Sequence, residues 1–405
     1  MKYSEESILL TSQINKIDKN KNGIFFTPPS IINTNLYLLM PFFKKVKNVL
    51  EPSCGSGEYI DKLINKNKKL KITGIENNNT IFDAIKDKYT TNNNIQLICD
   101  DFLKWNTTQK YDLIIGNPPY FVMNKQNVSS DFYNFFDGRP NIFILFILKS
   151  LELLETNGVL SFILPLNFIN CLYYDKTRKL INEKYNIIDI VYCDNHDDEF
   201  IDTKQETIIM IIQNKSPIDN SEFVMNINNY TIFGSKDKIT HLQNLYKNST
   251  SLHKLEFEAK VGNIVWNQHK NILTDDNTKT RLIYTNNIEN NEFVDKDFNS
   301  ESKKKYINKS GLYEPLLLIN RGYGVGNYHF NYCVFNPTFE YLIENHLIIV
   351  KYKHDELPKD ELLELYNKVV LSFKDEKTTE FIKTYFGNNA INTTELLHIL
   401  PIYNF

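Results

Sequence analysis

Residues 48–65 read NVLEPSCGSGEYIDKLIN: an apolar run, a glycine-containing turn and an amphipathic stretch in direct succession. The run Asn48–Leu50 is typical of a buried strand, and Tyr59–Asn65 has the spacing of a helix. Gly55 and Gly57 allow a tight turn between them and let backbone N–H groups approach a ligand at the start of the helix. An isolated pair of glycines is equally compatible with a plain turn. The position of this pair favours the first strand–turn–helix unit of an α/β sheet.

Strand-like runs and helix-like stretches alternate from Lys47 to about Gln213. The predicted buried strands are Asn48–Leu50, Ile72–Ile75, Ile95–Cys99, Leu113–Ile115, Val159–Leu164, Ile187–Val191 and Thr207–Ile212. The amphipathic stretches between them include Tyr59–Asn65, Thr80–Lys88 and Ile142–Leu154. This alternation predicts a Rossmann-like, doubly wound α/β domain with a largely parallel sheet.

A change of composition after residue 214 separates a second part of the chain. The 405 residues exceed what one core usually holds. We therefore expect a large domain over residues 1–215, a polar connector over residues 216–250 and a smaller mixed α/β domain over residues 251–405. Its predicted strands are Ile264–Trp266, Arg281–Tyr284, Leu316–Ile319 and Leu347–Tyr352, and its predicted helices are Lys359–Phe373 and Thr378–Tyr385.

The bulk composition limits the class of protein. The apolar stretches are far shorter than the ~20 residues of a membrane helix, and the N-terminus lacks a secretory pattern, so we expect no membrane segment. Five cysteines without a Cys-x-x-Cys pair indicate reduced thiols in a cytoplasmic compartment and no metal site. The net charge of −3 permits binding to nucleic acid without arguing for it. The clearest basic cluster is Lys303, Lys304, Lys305 and Lys309, followed by Arg321.

Acidic residues follow the first three predicted strands. Glu51 follows the first strand, and Glu76 follows the run Ile72–Ile75, where a carboxylate can accept both hydroxyl hydrogens of a ribose. Asp101 follows the third strand, where it can accept from an adenine amino group while Phe102 packs on the ring. A solvated acid at a strand end is the alternative for each residue alone. Together the acids favour an adenosine-containing ligand.

The sequence Asn117-Pro118-Pro119-Tyr120 follows the predicted strand Leu113–Ile115. Methylation of an exocyclic aromatic amine requires that the nitrogen lone pair, which is delocalised into the ring, be localised before it attacks. Two acceptors aimed at the amine hydrogens favour that geometry, and the side-chain oxygen of Asn117 and the carbonyl of Pro118 can supply them. Tyr120 offers a flat face on which a base pulled from a duplex can stack. An ordinary proline turn is the alternative, and the upstream motifs favour the catalytic interpretation.

The order of these motifs resembles that of the gamma-class N6-adenine DNA methyltransferases, the TaqI-type branch of the amino-methyltransferase family. In that family the cofactor motifs come first, the Asn-Pro-Pro-Tyr motif follows, and a target-recognition domain comes last. Gly23–Pro28, which reads GIFFTP, resembles the N-terminal cofactor motif of the family. The resemblance covers roughly residues 23–213, about half of the chain.

The resemblance implies S-adenosylmethionine as the cofactor and a direct attack of adenine N6 on the sulfonium methyl, without a covalent enzyme intermediate. The catalytic residues that it implies are Asn117, Pro118, Tyr120 and Phe200, the last stacking on the other face of the base. The residues expected to hold the cofactor are Thr27, Pro28, Glu51, Pro52, Cys54, Gly55, Gly57, Glu76, Asp101, Phe102, Asn117 and Phe146. Asn77 stands where the family often has an apolar side chain, so we assign it no role.

A target-recognition domain presents polar and aromatic side chains to the major groove of DNA. The candidates in residues 251–405 are Trp266, Asn267, Gln268, Lys270, Arg321 and Tyr323. Amide side chains can contact adenine edges through two hydrogen bonds, and Arg can do the same with guanine. For each candidate a surface loop or a packing role is the alternative, and Trp266 in particular suits a core position.

We therefore expect a site-specific methyltransferase that acts on N6 of a flipped-out adenine in double-stranded DNA. We expect a monomer or weak dimer in the cytoplasm of a bacterium, or in the host-cell compartment of an AT-rich virus, with a separate cognate restriction endonuclease as a candidate partner. Asn117 favours adenine over the cytosine amine, for which related enzymes typically carry Ser. A protein-glutamine or RNA-adenine methyltransferase can use the same motif, and domain order favours DNA. A catalytically silent nucleic-acid-binding module is the remaining alternative.

Overall fold

The computed structural model describes residues 3–193, 205–297, 302–322, 329–354, 357–386 and 390–405. The chain divides into two compact units, Met1–Ile239 and Thr240–Phe405. Within the described ranges, no helix has the length and apolar character needed to cross a membrane.

The first unit contains an N-terminal helical segment and a sheet flanked by helices. Its helices are α1 (Glu5–Gln13), α2 (Lys16–Asn22), α3 (Pro29–Leu38), α4 (Glu58–Lys66), α5 (Asn79–Ile85), α6 (Ile142–Leu153) and α7 (Asp175–Lys184), and α8 (Lys236–Tyr246) continues into the second unit. Its strands are β1 (Asn48–Glu51), β2 (Lys71–Glu76), β3 (Ile95–Cys99), β4 (Tyr111–Gly116), β5 (Leu154–Pro165), β6 (Asn186–Cys193), β7 (Thr207–Gln213), β8 (Val224–Ile227) and β9 (Tyr230–Phe233). Residues 216–250, predicted as a connector, contain the β8–β9 hairpin and α8.

The central sheet has the strand order β3-β2-β1-β4-β5-β7-β6. Strands β1 to β5 run parallel, and β7 runs antiparallel to both of its neighbours. The predicted doubly wound, largely parallel α/β domain is confirmed. Successive strands are added on one side of β1 as far as β3 and, from β4 onward, on its other side. The turns that follow β1 and β4 therefore lie side by side. Such a switch point is where open α/β sheets bind ligands.

The strands are continuous apolar runs because both faces of the sheet are buried. In β4, Ile114 belongs to one hydrophobic cluster, and Leu113 and Ile115 belong to the cluster on the opposite face. In β5, Phe162 and Ile163 divide in the same way. The core therefore holds the carboxyl edge of the sheet in place from both sides.

The start of β5 differs from the sequence prediction. β5 begins at Leu154 rather than at the predicted Val159, so Asn157-Gly158, a dipeptide typical of turns, lies inside the strand. Leu154 pairs with Tyr111 and Val159 with Leu113, so the residues between them form a bulge. The positive φ of 65° at Asn157 turns the bulge without ending the strand. A local turn signal thus produced an irregularity because pairing with β4 continued on both sides.

The second unit is built mainly from short strands. These are β10 (Ser249–Thr250), β11 (Phe257–Val261), β12 (Leu273–Thr274), β13 (Thr280–Ile283), β14 (Ile288–Glu289), β15 (Glu292–Phe293), β16 (Tyr306–Ile307), β17 (Leu316–Asn320), β18 (Tyr332–Phe335), β19 (Tyr341–Ile343), β20 (Leu347–Tyr352) and β21 (Ile402–Tyr403). The helices are α9 (Lys359–Phe373), α10 (Glu376–Tyr385) and α11 (Thr393–His398). The predicted mixed α/β character is confirmed.

Two four-stranded sheets form the centre of this unit. One has the order β11-β20-β17-β18 and is antiparallel, and the other has the order β12-β16-β13-β19 and includes the parallel pair β13–β19. The strand predicted at Ile264–Trp266 is wrong: Ile264 makes one isolated bridge with Glu344, and Trp266 begins a 3₁₀ turn. His269 closes that turn by donating from its backbone N–H to the Trp266 carbonyl (3.1 Å).

Candidate active site

The carboxyl ends of β1, β2, β3 and β4 open on a cavity of about 290 Å³. The sequence-predicted residues that line it are Pro52, Gly55, Glu76, Asp101, Phe102, Asn117 and Phe146. A smaller cavity of about 40 Å³ is lined by Thr27, Glu51 and Cys54, and also by Gly55 and Asn117. The two cavities therefore border the same two turns of the chain.

Glu76, the last residue of β2, is nearly buried and held by backbone hydrogen bonds. Gly55 N donates to its Oε2 (2.9 Å), and Asn78 N donates to its Oε1 (2.8 Å). Burial raises the pKa of Glu76, and these backbone donors oppose the rise. The backbone N–H of Asn77 also lowers that pKa, so one of the four carboxylate lone pairs remains available. The ionised group can thus accept a further hydrogen from a hydroxyl in the cavity.

Glu51, the last residue of β1, is only 2% exposed. Burial raises its pKa well above the ordinary range, and the nearby carboxyl groups of Asp61 and Glu76 add to the rise. Among the described residues, Oε2 of Glu51 has no hydrogen-bond partner. Burying an acceptor without a donor costs free energy. The small cavity beside Glu51 therefore suits a cationic or hydrogen-donating group.

An acid and two aromatic rings border another side of the larger cavity. Asp101 follows β3, and its Oδ1 accepts from Leu103 N (3.0 Å). Phe102 packs against Phe146 with their ring centroids 4.9 Å apart. Lys149 Nζ lies 5.1 Å from the Phe102 ring centroid and donates to the Leu103 carbonyl (3.1 Å). These surroundings suit a flat heterocycle that carries an amino group.

The Asn117 side chain is held by three hydrogen bonds. Its Nδ2 donates to the Phe25 carbonyl (3.3 Å) and to Thr27 Oγ1 (3.1 Å), and its Oδ1 accepts from the Tyr120 hydroxyl (2.6 Å). The Phe25 carbonyl can only accept, so the amide nitrogen must face it. The backbone carbonyl of Asn117 accepts from Ser53 Oγ (3.0 Å), which links the turn after β4 to the turn after β1. Asn117 is therefore oriented by groups from three parts of the chain.

The segment between α2 and α3 packs directly on the Asn117-Pro118-Pro119-Tyr120 turn. Gly23 ends α2 with a φ of 63°, and a Cβ at this position would lie 2.6 Å from Tyr120 N and 3.2 Å from Pro119 Cβ. The N-terminal helix α1 is anchored on the turn after β1, since Ser7 Oγ donates to Glu58 Oε1 (2.7 Å). The N-terminal segment thus forms part of the cavity wall.

Comparison with known proteins identifies the domain that carries this site. Residues 13–200 match the family described as Eco57I restriction-modification methylase. These residues are an Eco57I-type restriction-modification methylase domain.

Two relatives align with the methylase domain and the second unit together. Type II methyltransferase M.CvrRI of Paramecium bursaria Chlorella virus XZ-6E is 26% identical, and modification methylase CviBIII of Paramecium bursaria Chlorella virus NC1A is 27% identical. Each alignment covers 99% of this chain and 99% of the relative. Among solved structures, the EcoKI M protein of a type I restriction enzyme has 16% identity and a TM-score of 0.37 over 48% of this chain and 44% of its own.

Some residues of the methylase domain that were predicted to form the site lie beside the cavities rather than in their walls. These are Pro28, Gly57, Pro118 and Tyr120. Gly57 has a φ of 81°, and a Cβ there would lie 2.4 Å from the Tyr89 hydroxyl, so its absent side chain serves packing. The Tyr120 hydroxyl lies within hydrogen-bond distance of Asn117 Oδ1 (2.6 Å) and of the Ile163 carbonyl (2.9 Å), and these two acceptors share its single hydrogen. Phe200 lies outside the described residues.

Cys54 is buried between β1 and the glycine turn. Burial raises the pKa of its thiol well above the ordinary value, and the neighbouring Glu51 and Glu76 add to the rise. The uncharged thiol is a weak nucleophile. Its placement agrees with a packing role beside the smaller cavity.

Several residues line the larger cavity although no role was predicted for them. Phe25 and Phe26 belong to the quoted N-terminal motif, but only Thr27 and Pro28 of that motif were assigned. Asn77 lines the cavity too, so its polarity was a poor reason to leave it out. Phe121 follows the Asn117-Pro118-Pro119-Tyr120 turn and has no separate sequence signal. Proximity to an assigned motif was the signal that could have found these residues.

In the second unit, four of the predicted DNA-contacting residues share one stretch, Trp266–Lys270. The Trp266 ring is partly exposed, packs on the hydrophobic cluster that contains Tyr284, and lies 5.7 Å from Lys270 Nζ. Asn267 and Gln268 are exposed on the same stretch. Trp266 therefore packs on the core with part of its ring and exposes the rest at the surface.

Arg321 lies near this stretch through the turn at residues 344–346. Arg321 N donates to the His346 carbonyl (3.1 Å), and Asn345 N donates to the Ile264 carbonyl (3.0 Å). Tyr323 lies outside the described residues.

The basic cluster predicted at residues 303–309 is partly neutralised. Lys304 Nζ pairs with Asp275 (2.6 Å), and Lys305 pairs with Asp295 (3.2 Å) and Asp297. Lys303 Nζ lies 4.2 Å from the Tyr284 ring centroid. A run of lysines in sequence is therefore not a run of unpaired charge on the surface.

Proposed function

We propose that this protein is an S-adenosylmethionine-dependent DNA methyltransferase that modifies the N6 amino group of adenine. The observation that carries the proposal is the state of the Asn117 amide. Both hydrogens of its Nδ2 and one lone pair of its Oδ1 are engaged, which leaves one lone pair of an oriented oxygen beside the cavity. A fixed acceptor at this position is what the attack of an aromatic amine requires.

The cavity residues fit the cofactor. The Glu76 carboxylate can accept from a ribose hydroxyl, and Phe102 and Asp101 provide a ring contact and an acceptor for the adenine amino group. The unpartnered Oε2 of Glu51 suits the ammonium of the methionine end. When bound, S-adenosylmethionine supplies a methyl group made electrophilic by its sulfonium sulfur. The carboxyl groups of the protein thus offer acceptors to the ribose hydroxyl, adenine amino and ammonium groups of that molecule.

The catalytic turn has a simple task in this proposal. Asn117 Oδ1 and the Pro118 carbonyl accept the two hydrogens of the adenine amine, and their geometry directs its lone pair toward the cavity. The consecutive residues Pro118 and Pro119 fix φ at the two central positions of the turn, so little backbone motion is needed. Tyr120 presents a ring to the base, and we propose Phe200 for the opposite face. A base can reach this turn only after it has left the duplex.

Duplex DNA as the substrate is supported by the restriction-modification family of the domain and by relatives named type II methyltransferase and modification methylase over the full chain. We propose that the second unit reads the sequence, with Trp266, Asn267, Gln268, Lys270, Arg321 and Tyr323 as contact candidates. Lys270 would contact phosphate, while the amide side chains and Arg321 would contact base edges.

Methyl transfer from labelled cofactor tests the substrate class. Unmethylated duplex DNA, RNA of the same sequence and a mixture of soluble proteins are incubated separately with the enzyme and methyl-labelled S-adenosylmethionine. We expect label in DNA with the wild type and none with Asn117→Ala, while titration calorimetry shows cofactor binding nearly intact in that variant. Label confined to RNA or protein would overturn the proposal, and transfer by Asn117→Ala would refute the assigned role.

A further inference from the structure

Thr27 stands where the family resemblance implies a contact to the methionine end of the cofactor, yet its hydroxyl faces a different group. Thr27 is 7% exposed and lines the smaller cavity together with Glu51, but it does not line the larger cavity. Its Oγ1 lies 3.1 Å from Asn117 Nδ2, across 90 residues of sequence. The hydroxyl of Thr27 thus accepts a hydrogen bond from the Asn117 amide.

The backbone holds this hydroxyl at a defined place. Thr27 precedes Pro28 and Pro29, and a residue before proline is restricted to extended conformations. Pro28 caps α3, which begins at Pro29, so Thr27 is attached to the start of a helix. Residues Ile31, Ile32 and Leu36 of that helix are buried in the core. The acceptor offered to Asn117 therefore has little freedom to move.

The hydrogen-bond inventory of Asn117 shows what this acceptor does. The Phe25 carbonyl decides which end of the amide is nitrogen, but one hydrogen bond leaves the amide free to rotate about it. Thr27 accepts the second Nδ2 hydrogen and fixes the amide plane. The Oδ1 lone pair that is not used by Tyr120 then points in one direction.

We infer that Thr27 is a positioning residue for catalysis, which aims Asn117 Oδ1 at the amine of the methyl acceptor. This inference rests on the proposed function and deepens it by separating the N-terminal motif into parts with different tasks. The hydroxyl of Thr27 serves the acceptor amine through Asn117, although Thr27 also lines the smaller cavity, whereas Phe25 and Phe26 line both cavities.

Two substitutions of Thr27 separate this role from a cofactor contact. Thr27→Val keeps the shape and removes the acceptor, and Thr27→Ser keeps the hydroxyl. We expect Thr27→Val to lower kcat roughly tenfold, as the loss of one oriented hydrogen bond implies, with the Kd for S-adenosylmethionine within about twofold of the wild type. Thr27→Ser should recover most of kcat. A raised cofactor Kd with unchanged kcat, or wild-type kcat in Thr27→Val, would overturn the inference.

A stability cycle tests the contact without reference to any substrate. The free energy of unfolding is measured for the wild type, Thr27→Val, Asn117→Ala and the double variant. If Thr27 acts through Asn117, Thr27→Val destabilises the wild type but costs far less in the Asn117→Ala background. Equal cost in both backgrounds would overturn the inference, even for a variant too unstable to assay. If the wild type methylates no DNA while the cycle shows coupling, the proposed function fails and the Thr27–Asn117 contact stands.

Discussion

Two buried carboxyl groups, those of Glu51 and Glu76, lie at the ends of β1 and β2 beside the two cavities. Burial raises the pKa of both, and Glu51 also lacks a hydrogen-bond donor for one oxygen. The folded protein therefore holds a proton on Glu51 at pH values where the unfolded chain has lost it. Stability must fall as the pH rises through that window, because the unfolded state then binds fewer protons than the native state.

This linkage predicts the pH profile of the free enzyme. The free energy of unfolding should decline as pH rises from the ordinary carboxyl range to the raised pKa of Glu51, and Glu51→Gln should flatten the decline. Denaturant unfolding over a series of pH values measures it. An identical decline in Glu51→Gln would show that the loss of stability has another source.

Cofactor binding should reverse the effect at the same residue. An ammonium beside Glu51 favours the carboxylate, so binding of S-adenosylmethionine at pH values between the ordinary carboxyl range and the raised pKa of Glu51 should release a proton. Calorimetry in buffers with different ionisation enthalpies measures the number of protons released on binding. The ligand control is methylthioadenosine, which lacks the amino-acid end and should release no proton from Glu51. Equal proton release by both ligands would remove Glu51 from the proposed ammonium site.

At the scale of elements, close packing joins the N-terminal segment to the catalytic turn. Gly23 and Gly138 share a φ of 63°, but a Cβ at Gly23 would lie 2.6 Å from Tyr120 N, whereas the nearest atom to a Cβ at Gly138 is 3.9 Å away. Both Ala variants should lose about 1 kcal/mol or more for the left-handed backbone. Only Gly23→Ala should also lower methyl transfer, by roughly a hundredfold, because it displaces the turn. Equal activities of the two variants would refute this account.

Helix α7 carries a buried charge that fastens the β8–β9 hairpin. Arg178 is fully buried, and it donates to the carbonyls of Phe168 and Cys171 (both 2.8 Å) and of Thr231 (2.5 Å). We expect Arg178→Met to lower the free energy of unfolding by about 3–5 kcal/mol, because those carbonyls lose their donor.

The matched control for Arg178 lies on the same helix. Lys176 is half exposed and pairs with the exposed Asp137, so Lys176→Met should cost less than about 1 kcal/mol. Thermal or denaturant unfolding compares the two variants. Similar losses for both would show that the helix tolerates removal of the buried charge.

Strands that are buried on both faces were predicted well from the sequence. The stretches Leu113–Ile115 of β4 and Ile208–Ile212 of β7 are apolar because both faces of the sheet are covered, and the strand-end acids Glu51 and Glu76 follow from the position of the strands. The bulge at Asn157 could not be read from the sequence, because it depends on pairing with Tyr111. The bonds that orient Asn117 were also hidden, since Thr27 is brought to it only by the fold.

For the whole molecule, the distribution of charge matters more than the net value of −3. Lys304 is paired with Asp275, whereas Lys270 lies beside the Trp266 ring in the stretch proposed to contact DNA. Lys270→Ala should weaken DNA binding and reduce the slope of log affinity against log salt by about 1. Lys304→Ala should change the slope less. Filter binding or anisotropy over a salt series distinguishes the two variants. A larger effect of Lys304→Ala would show that the proposed location of the DNA interface is wrong.

The identity of the modified nucleoside tests the central claim most directly. DNA methylated in vitro is digested to nucleosides and analysed by mass spectrometry, with the Asn117→Ala variant as the control. The proposed chemistry predicts N6-methyldeoxyadenosine with the wild type and none with Asn117→Ala. N4-methyldeoxycytidine, or no modified nucleoside in DNA that carries many different sequences, would contradict it.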